Sequence, residues 1–430
     1  MTNRRSDALA RIVELSAAFI YSNLARAAIG FGLTLVLGRG LGAARFGGWV
    51  LCTTWAATLT FTADLGFGVL LTRDGARRDA RPPLLLSASL LLRLALALPL
   101  AVVLSAAAPA LTSDPELVRG LRIASLLGVA GAAYGCFGAL LRSQPTWLPR
   151  VLGIETGWLA AQIALSWWIV HRGGGIASLL VAAIGIQAAQ MASALALWRP
   201  IFGGGLTAEW RDVRAALGPT LRRALPFAAS GIVANLQLRV APLMLGYFAA
   251  PVELAWFTAA SRVGRVARLA PQAVFAGALP VLSHEYARDR GEARRVSRTL
   301  DRALAAAAAG GVLAAVLFAS PLMRAIFGDS FEPAARPLMW VAIGLIPALS
   351  NSSRKIFLYA AGAESVVLRW SAIAVALEVV TGAALIPPLG SVGAAISIAL
   401  GEAAIVMPLR VETGERVKDS ELAVHGSAAL

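Results

Sequence analysis

Apolar residues run through this chain in long, nearly unbroken stretches, and the polar residues gather between them. Twelve stretches reach the length of about 20 residues that a helix needs to cross a bilayer. They lie near 17–38, 48–71, 83–108, 121–141, 151–170, 175–198, 225–248, 255–280, 303–320, 337–360, 368–387 and 391–411. The pattern predicts an all-α polytopic membrane protein with about twelve transmembrane helices. The stretch 199–224 divides the spans into two sets of six. Leu206, Trp210, Val213 and Leu217 fall there at helical spacing opposite Arg211 and Arg214, which predicts an amphipathic helix at the membrane surface, ended by Gly218-Pro219. The expected organisation is an N-terminal lobe over 1–198, a cytoplasmic linker over 199–224, a C-terminal lobe over 225–411 and a cytoplasmic tail over 412–430. A faint repeat supports it: Gly38 to Trp49 and Gly246 to Trp256 each place a glycine, a short loop and an aromatic residue between the first two spans of a half.

Composition agrees: 58% of residues are hydrophobic, 15% are charged and mean hydropathy is +0.70. A pI near 11.2 could suggest nucleic acid, but the basic residues collect in short loops, so no nucleic-acid partner is expected. With Arg122, Arg369 and Arg410, each at the edge of a span, counted with the adjoining loops, 24 of the 39 basic residues fall on one side of the membrane, 7 on the other and 8 within the spans. That asymmetry puts both termini in the cytoplasm. About sixteen polar or weakly amphipathic residues precede the first span, and that span has full length, so it does not read as a removable signal. Cys52 and Cys136 lie far apart in apolar runs and read as small core residues. His171, His284 and His425 are scattered, and neither a metal nor a cofactor is expected. Trp49, Trp167, Trp168 and Trp256 fall near span ends on the outer side and read as interfacial anchors.

The candidate chemistry lies in charges inside the spans. Arg26, Arg239, Arg262, Arg265, Arg268, Arg354 and Lys355 interrupt otherwise apolar helices, with Arg93 nearer a helix end. A basic side chain at the bilayer centre costs about 2.5–3.5 kcal/mol even on the lenient insertion scale, so these residues must face protein or a wet cavity. Ser22, Arg26, Gly30 and Thr34 share one face of the first span, and Gly231, Asn235 and Arg239 share one face of the seventh, where Pro242 predicts a kink. Ser261, Arg265, Arg268 and Gln272 do the same in the eighth, beside Arg262. Two readings follow: an anion-binding surface formed by Arg26, Asn235, Arg239, Arg262, Arg265 and Arg268, or arginines that pair locally to fix helix packing. Four in-span acids, Asp64, Glu155, Glu378 and Glu402, cannot neutralise eight bases. Glu378 is expected either to pair with Arg354 or Lys355 or to load an ion during a transport cycle. Gly38-Arg39-Gly40-Leu41-Gly42 follows no strand and is no phosphate loop, and Ser352-Ser353-Arg354-Lys355 has the SxxK spacing without its companion motifs. No enzymatic activity is expected.

Several short motifs occur in order along almost the whole chain. They are Leu37-Gly38-Arg39-Gly40-Leu41-Gly42 with Phe46-Gly47, then Asp64-Leu65-Gly66-Phe67-Gly68 and Arg73. Leu225-Pro226-Phe227, Leu245-Gly246, Ala260-Ser261-Arg262 and Leu279-Pro280-Val281-Leu282-Ser283 follow. Phe327-Gly328-Asp329, Pro333-Ala334-Ala335, Ala361-Gly362, Ile386-Pro387 and Gly390-Ser391-Val392-Gly393-Ala394-Ala395 complete the series. In these the chain resembles the bacterial polysaccharide-biosynthesis proteins of the multidrug/oligosaccharidyl-lipid/polysaccharide exporter superfamily, which flip lipid-linked oligosaccharides. The resemblance implies two six-helix lobes around a central cavity. It also implies a polyprenyl-pyrophosphate-linked glycan as cargo, such as an O-antigen or exopolysaccharide repeat unit, moved from the inner to the outer leaflet of a bacterial inner membrane by alternating access. Its partners would be the bilayer, that cargo, and the polymerase and glycosyltransferases of the same glycan. Relatives often carry an acid near the position of Ala241, so ion coupling through that place is not expected here. Lipid II flippases of the superfamily carry two more helices, which argues against a peptidoglycan precursor. A multidrug antiporter of the same superfamily would need an acid on the first or seventh span. A membrane glycan polymerase or transferase would need larger outer loops than this chain has.

Overall fold

The computed structural model describes residues 2–267 and 290–414, and among these every regular element is a helix. We number them α1 (Thr2–Thr62), α2 (Phe67–Gly75), α3 (Pro82–Leu111), α4 (Pro115–Arg142), α5 (Leu148–His171), α6 (Ile176–Phe202), α7 (Trp210–Phe248) and α8 (Pro251–Ala267). They continue with α9 (Arg290–Phe327), α10 (Ala335–Ala360) and α11 (Glu364–Ala404), with a 3-10 turn at Asp329–Ala334 and a last helical stretch over 406–414. Seven are long and apolar enough to cross a membrane, or eight with α7 included. The protein is an all-α, multi-pass membrane protein. Large apolar side chains on the helix surfaces, among them Leu98, Val102, Val103, Leu126, Val181, Val316, Leu317, Phe318 and Val380, are exposed, as expected where lipid rather than protein covers them.

Two expected loops shrink to one residue each. α1 and α11 both contain a pair of spans, joined at Gly42 (φ 72°, ψ 168°) and Gly390 (φ 54°, ψ −129°). Only glycine takes such angles without a Cβ penalty. A Cβ on Gly401 would lie 2.9 Å from the Ala374 carbonyl oxygen, so the two halves of α11 lie side by side. Glu253 accepts the Ser391 backbone N–H at 2.8 Å, capping the second half just past the corner. Glu116 does the same for α6, accepting the Ile176 N–H at 3.3 Å.

The second predicted span, 48–71, is not continuous. The helix stops at Thr62 and restarts as α2, with Leu65 (φ 40°) and Gly66 (φ 81°) in left-handed backbone between. Asp64 causes the restart by accepting the Gly68 N–H at 3.1 Å, a capping bond to the new helix. A Cβ on Gly66 would lie 2.7 Å from Phe227 Cβ and 2.8 Å from the Ala224 carbonyl oxygen, so α7 packs directly on bare backbone there.

Gly218-Pro219 does not end the surface helix. α7 runs through it from Trp210 to Phe248. An interior proline costs about 3 kcal/mol, but Val213, Thr220 and Ala224 are buried along one face of the same helix, and that burial offsets the lost hydrogen bond. Pro242 likewise lies inside α7 and does not end it.

The chain forms two compact units, Met1–Asn235 and Leu236–Leu430. In the first, small residues set the helix contacts: a Cβ on Gly120 would lie 2.8 Å from Cys52 Sγ, and one on Gly128 would lie 2.9 Å from the Ala56 carbonyl oxygen. Cys52 and Cys136 are buried, unoxidised core residues. Trp167 and Trp168 are about half exposed, as interfacial anchors are, whereas Trp49 packs on a buried cluster and stacks on Phe46 at 6.0 Å. In the second unit α8, α9, α10 and α11 pack together, and Trp256 donates to the Ser330 carbonyl at 3.0 Å rather than standing free as an anchor.

Candidate functional site

Arg26 lies midway along the first span of α1, on the face that carries the buried residues Ser22 and Thr34. Small residues on this face let α5 approach, and a Cβ on Gly40 would lie 2.2 Å from Val170 Cγ1. The approach places Glu155, whose side chain is 6% exposed, against Arg26. Arg26 Nη2 donates to Glu155 Oε2, while Glu155 Oε1 accepts Arg142 Nη1 at 2.6 Å and Tyr134 Oη at 2.9 Å. One carboxylate thus holds two guanidinium groups and a phenol. The Arg26 side chain keeps 34% of its surface exposed, because it borders a cavity of about 370 Å3 within the first unit. Thr53, Thr60, Gln162, Gln187 and Gln190 supply its polar wall, and Leu127, Leu159 and Ile186 its apolar one. Amides and hydroxyls at membrane depth provide hydrogen bonds of the kind a sugar needs, and the two arginines provide donors for a phosphate.

A second charge cluster in this unit has no such opening. Arg93 is buried and pairs with Asp64 at the break before α2, and its Nη1 donates to the Ala132 carbonyl at 3.2 Å. Asp74, also buried, holds both Arg73 and Arg223 and so ties α2 to α7. These ion pairs fix helix packing.

Of the other predicted site residues, Asn235 donates to the Gly231 carbonyl of its own helix at 2.9 Å. Arg239 on α7 and Arg262 on α8 are half-buried, and Arg265 is exposed. Arg268 lies outside the described residues. Glu378 does not pair with Arg354 or Lys355. Arg354 Nη2 instead donates to Asp301 Oδ2 at 3.1 Å, and Lys355 is half-buried beside it in sequence. Asp301 is the counterion, because α9 begins long before its apolar run and carries the acid alongside α10. Glu378 is 4% exposed and its Oε1 accepts no hydrogen bond from the described residues. Among the described residues, Glu402 in the same unit is met by amides: Gln237 Nε2 at 2.9 Å and Asn351 Nδ2 at 2.8 Å. Among the described residues no group of three metal-ligating side chains occurs.

Sequence reasoning missed Tyr134, Arg142, Gln162, Gln187 and Gln190. The signal was present in the glutamines, because a polar amide inside an apolar span is as rare as a charge and faces the same constraint.

Residues 15–285 match the family model of the polysaccharide biosynthesis proteins. The chain belongs to that family. No curated protein sequence matches this member. Among solved structures, an inward-facing multidrug resistance MATE transporter of the MOP superfamily superposes with a TM-score of 0.70 at 16% identity, covering 92% of this chain and 95% of that one. The lipid II flippase MurJ, in an inward closed conformation, gives 0.69 at 13% identity, covering 94% and 87%. A Pyrococcus furiosus transporter of the same superfamily, whose binding pocket is of reverse polarity, gives 0.54 at 16% identity, covering 95% and 95%. At these identities the likeness establishes the fold, which is that of the MOP transporters.

Proposed function

We propose that this family member carries a polyprenyl-pyrophosphate-linked oligosaccharide from the inner to the outer leaflet of a bacterial cytoplasmic membrane by alternating access, with both its termini cytoplasmic. The observation that supports this most is the cavity beside Arg26. Arg26 and Arg142 outnumber Glu155 there, so the cavity is net positive, and its remaining polar wall is neutral amide and hydroxyl. A diphosphate accepts paired guanidinium donors in the geometry a carboxylate does, so it can take over the two arginines from Glu155 without leaving either unpaired. The glutamines and threonines then meet sugar hydroxyls, while the prenyl chain stays in lipid.

With the cell interior negative, a cargo of two negative charges gains about 4–5 kcal/mol moving outward through 100 mV. Glu378, buried and without a basic partner, is our candidate for a proton-loading group. Polymerase and glycosyltransferases are the enzymes that would consume and supply such a cargo. A multidrug antiporter shares the fold but needs a cavity for organic cations, and net positive charge disfavours them.

The test is reconstitution into vesicles with a short-chain polyprenyl-pyrophosphate disaccharide, reading its arrival in the far leaflet. Arg26→Ala with Arg142→Ala should lower the flipping rate at least tenfold in protein that still elutes as a single species. Arg239→Ala, Arg262→Ala and Arg265→Ala, assayed singly, measure the second unit's contribution. Wild-type flipping in the Arg26/Arg142 double variant would remove the proposal.

A further inference from the structure

Three helix ends of the second unit surround a separate cavity of about 440 Å3. Arg298 and Arg302 come from the third and fourth turns of α9, Ser353 and Arg354 from the last two turns of α10, and Arg410 from the final helical stretch. Its volume lies within the range of about 300–1,000 Å3 that small-molecule sites occupy. Asp301 is its one lining carboxylate, and that carboxylate is already engaged: it accepts Ser350 Oγ at 2.6 Å and Arg354 Nη2 at 3.1 Å, with Ser353 Oγ 3.3 Å away. Arg354 also donates to Ser350 Oγ at 2.7 Å, so its guanidinium is held in place. Glu412, the nearest acid along the final stretch, is occupied by Arg369 and Trp370. Arg298, Arg302 and Arg410 therefore line the cavity with no carboxylate partner among the described residues.

The positive-inside rule asks only for basic residues near helix ends and is met by side chains spread into water. Here the charges instead converge on one concave space, from three helices far apart in sequence, around a fixed arginine and a serine hydroxyl. Like charges gathered this way repel unless an anion sits among them. We propose that this cavity is a phosphate-binding site, distinct from the cavity at Arg26, and that it takes a phosphate carried on an anionic lipid headgroup or free in solution as pyrophosphate. Guanidinium groups match phosphate oxygens in pairs.

The experiment uses the full chain in two arms. In one, the protein is placed in nanodiscs of phosphatidylcholine with a titrated fraction of phosphatidylglycerol, and bound phosphatidylglycerol is counted by native mass spectrometry. In the other, discs of phosphatidylcholine alone are titrated calorimetrically with inorganic pyrophosphate. Arg302→Gln with Arg410→Gln removes two exposed charges, while Arg77→Gln with Arg78→Gln removes two from an exposed loop of the first unit. The expected result is binding in at least one arm that weakens tenfold or more in the Arg302/Arg410 variant and is unchanged in the Arg77/Arg78 variant. The responding arm identifies the source of the phosphate. The melting temperature of each variant, which should match wild type, separates lost binding from lost fold. Absence of binding in both arms, or equal weakening in the two variants, overturns the proposal. Neither outcome bears on the cavity at Arg26, whose own test reads flipping.

Discussion

The two units treat buried carboxylates in opposite ways. In the first, the buried Asp74 and Glu155 each hold two arginines. In the second, the buried Glu378 meets no basic side chain among the described residues, although Arg354 and Lys355 lie in the same unit. A buried acid braced by arginines serves packing or ligand exchange, whereas one without a basic neighbour is available to an ion from outside. Under the proposed function, the first unit would meet the cargo's charge and the second would respond to ions.

Breaking the Arg93–Asp64 pair tests the packing side and should have the largest effect. Arg93→Ala removes a buried guanidinium and leaves the half-buried Asp64 without it at the helix break, and breaking a pair of this kind costs up to about 3–5 kcal/mol. The melting temperature in detergent should fall steeply and little folded protein should reach the membrane. Gly66→Ala should cost about 1–3 kcal/mol, since alanine would have to hold a left-handed backbone and displace Phe227. A thermal melt indistinguishable from wild type would show that α7 does not pack on that backbone. Glu155→Gln keeps the shape but takes the anion from two arginines. It should destabilise by about 1–3 kcal/mol and slow flipping more than it lowers the melting temperature. Glu378→Gln is the sharpest contrast. It should leave stability within about 1 kcal/mol of wild type, because no ion pair is lost. It should also remove any response of flipping to an imposed pH gradient while leaving the response to membrane potential. A large loss of stability in Glu378→Gln would mean that a cation does sit beside this acid, and the contrast between the units would vanish.

The spans and the inward-turned arginine stripe were legible because they depend on local periodicity and on the cost of charge in lipid. That Arg26 turns toward protein could be read from Ser22, Gly30 and Thr34 alone. Its counterion could not, because Glu155 is 129 residues away and nothing in its own span marks the pairing. Arg354 shows the same limit. Glu378 sits in a span and Asp301 in a charged run, so composition favours the former, yet α9 extends the charged run into the bundle as helix. The break after Thr62 was hidden in a motif, Asp64-Leu65-Gly66, whose meaning lies in α3 and α7 rather than in its neighbours. Gly218-Pro219 misled for the converse reason: a strong local stop signal gave way to burial along a whole helix face.

The single-glycine corners at Gly42 and Gly390 have a mechanical consequence. Two rods joined through one residue have no slack with which to slide lengthwise past each other, so each hairpin must travel as one stiff blade. Whatever bending accompanies transport therefore has to be absorbed at other joints, and the interrupted helix at Asp64-Leu65-Gly66 is a ready place for it.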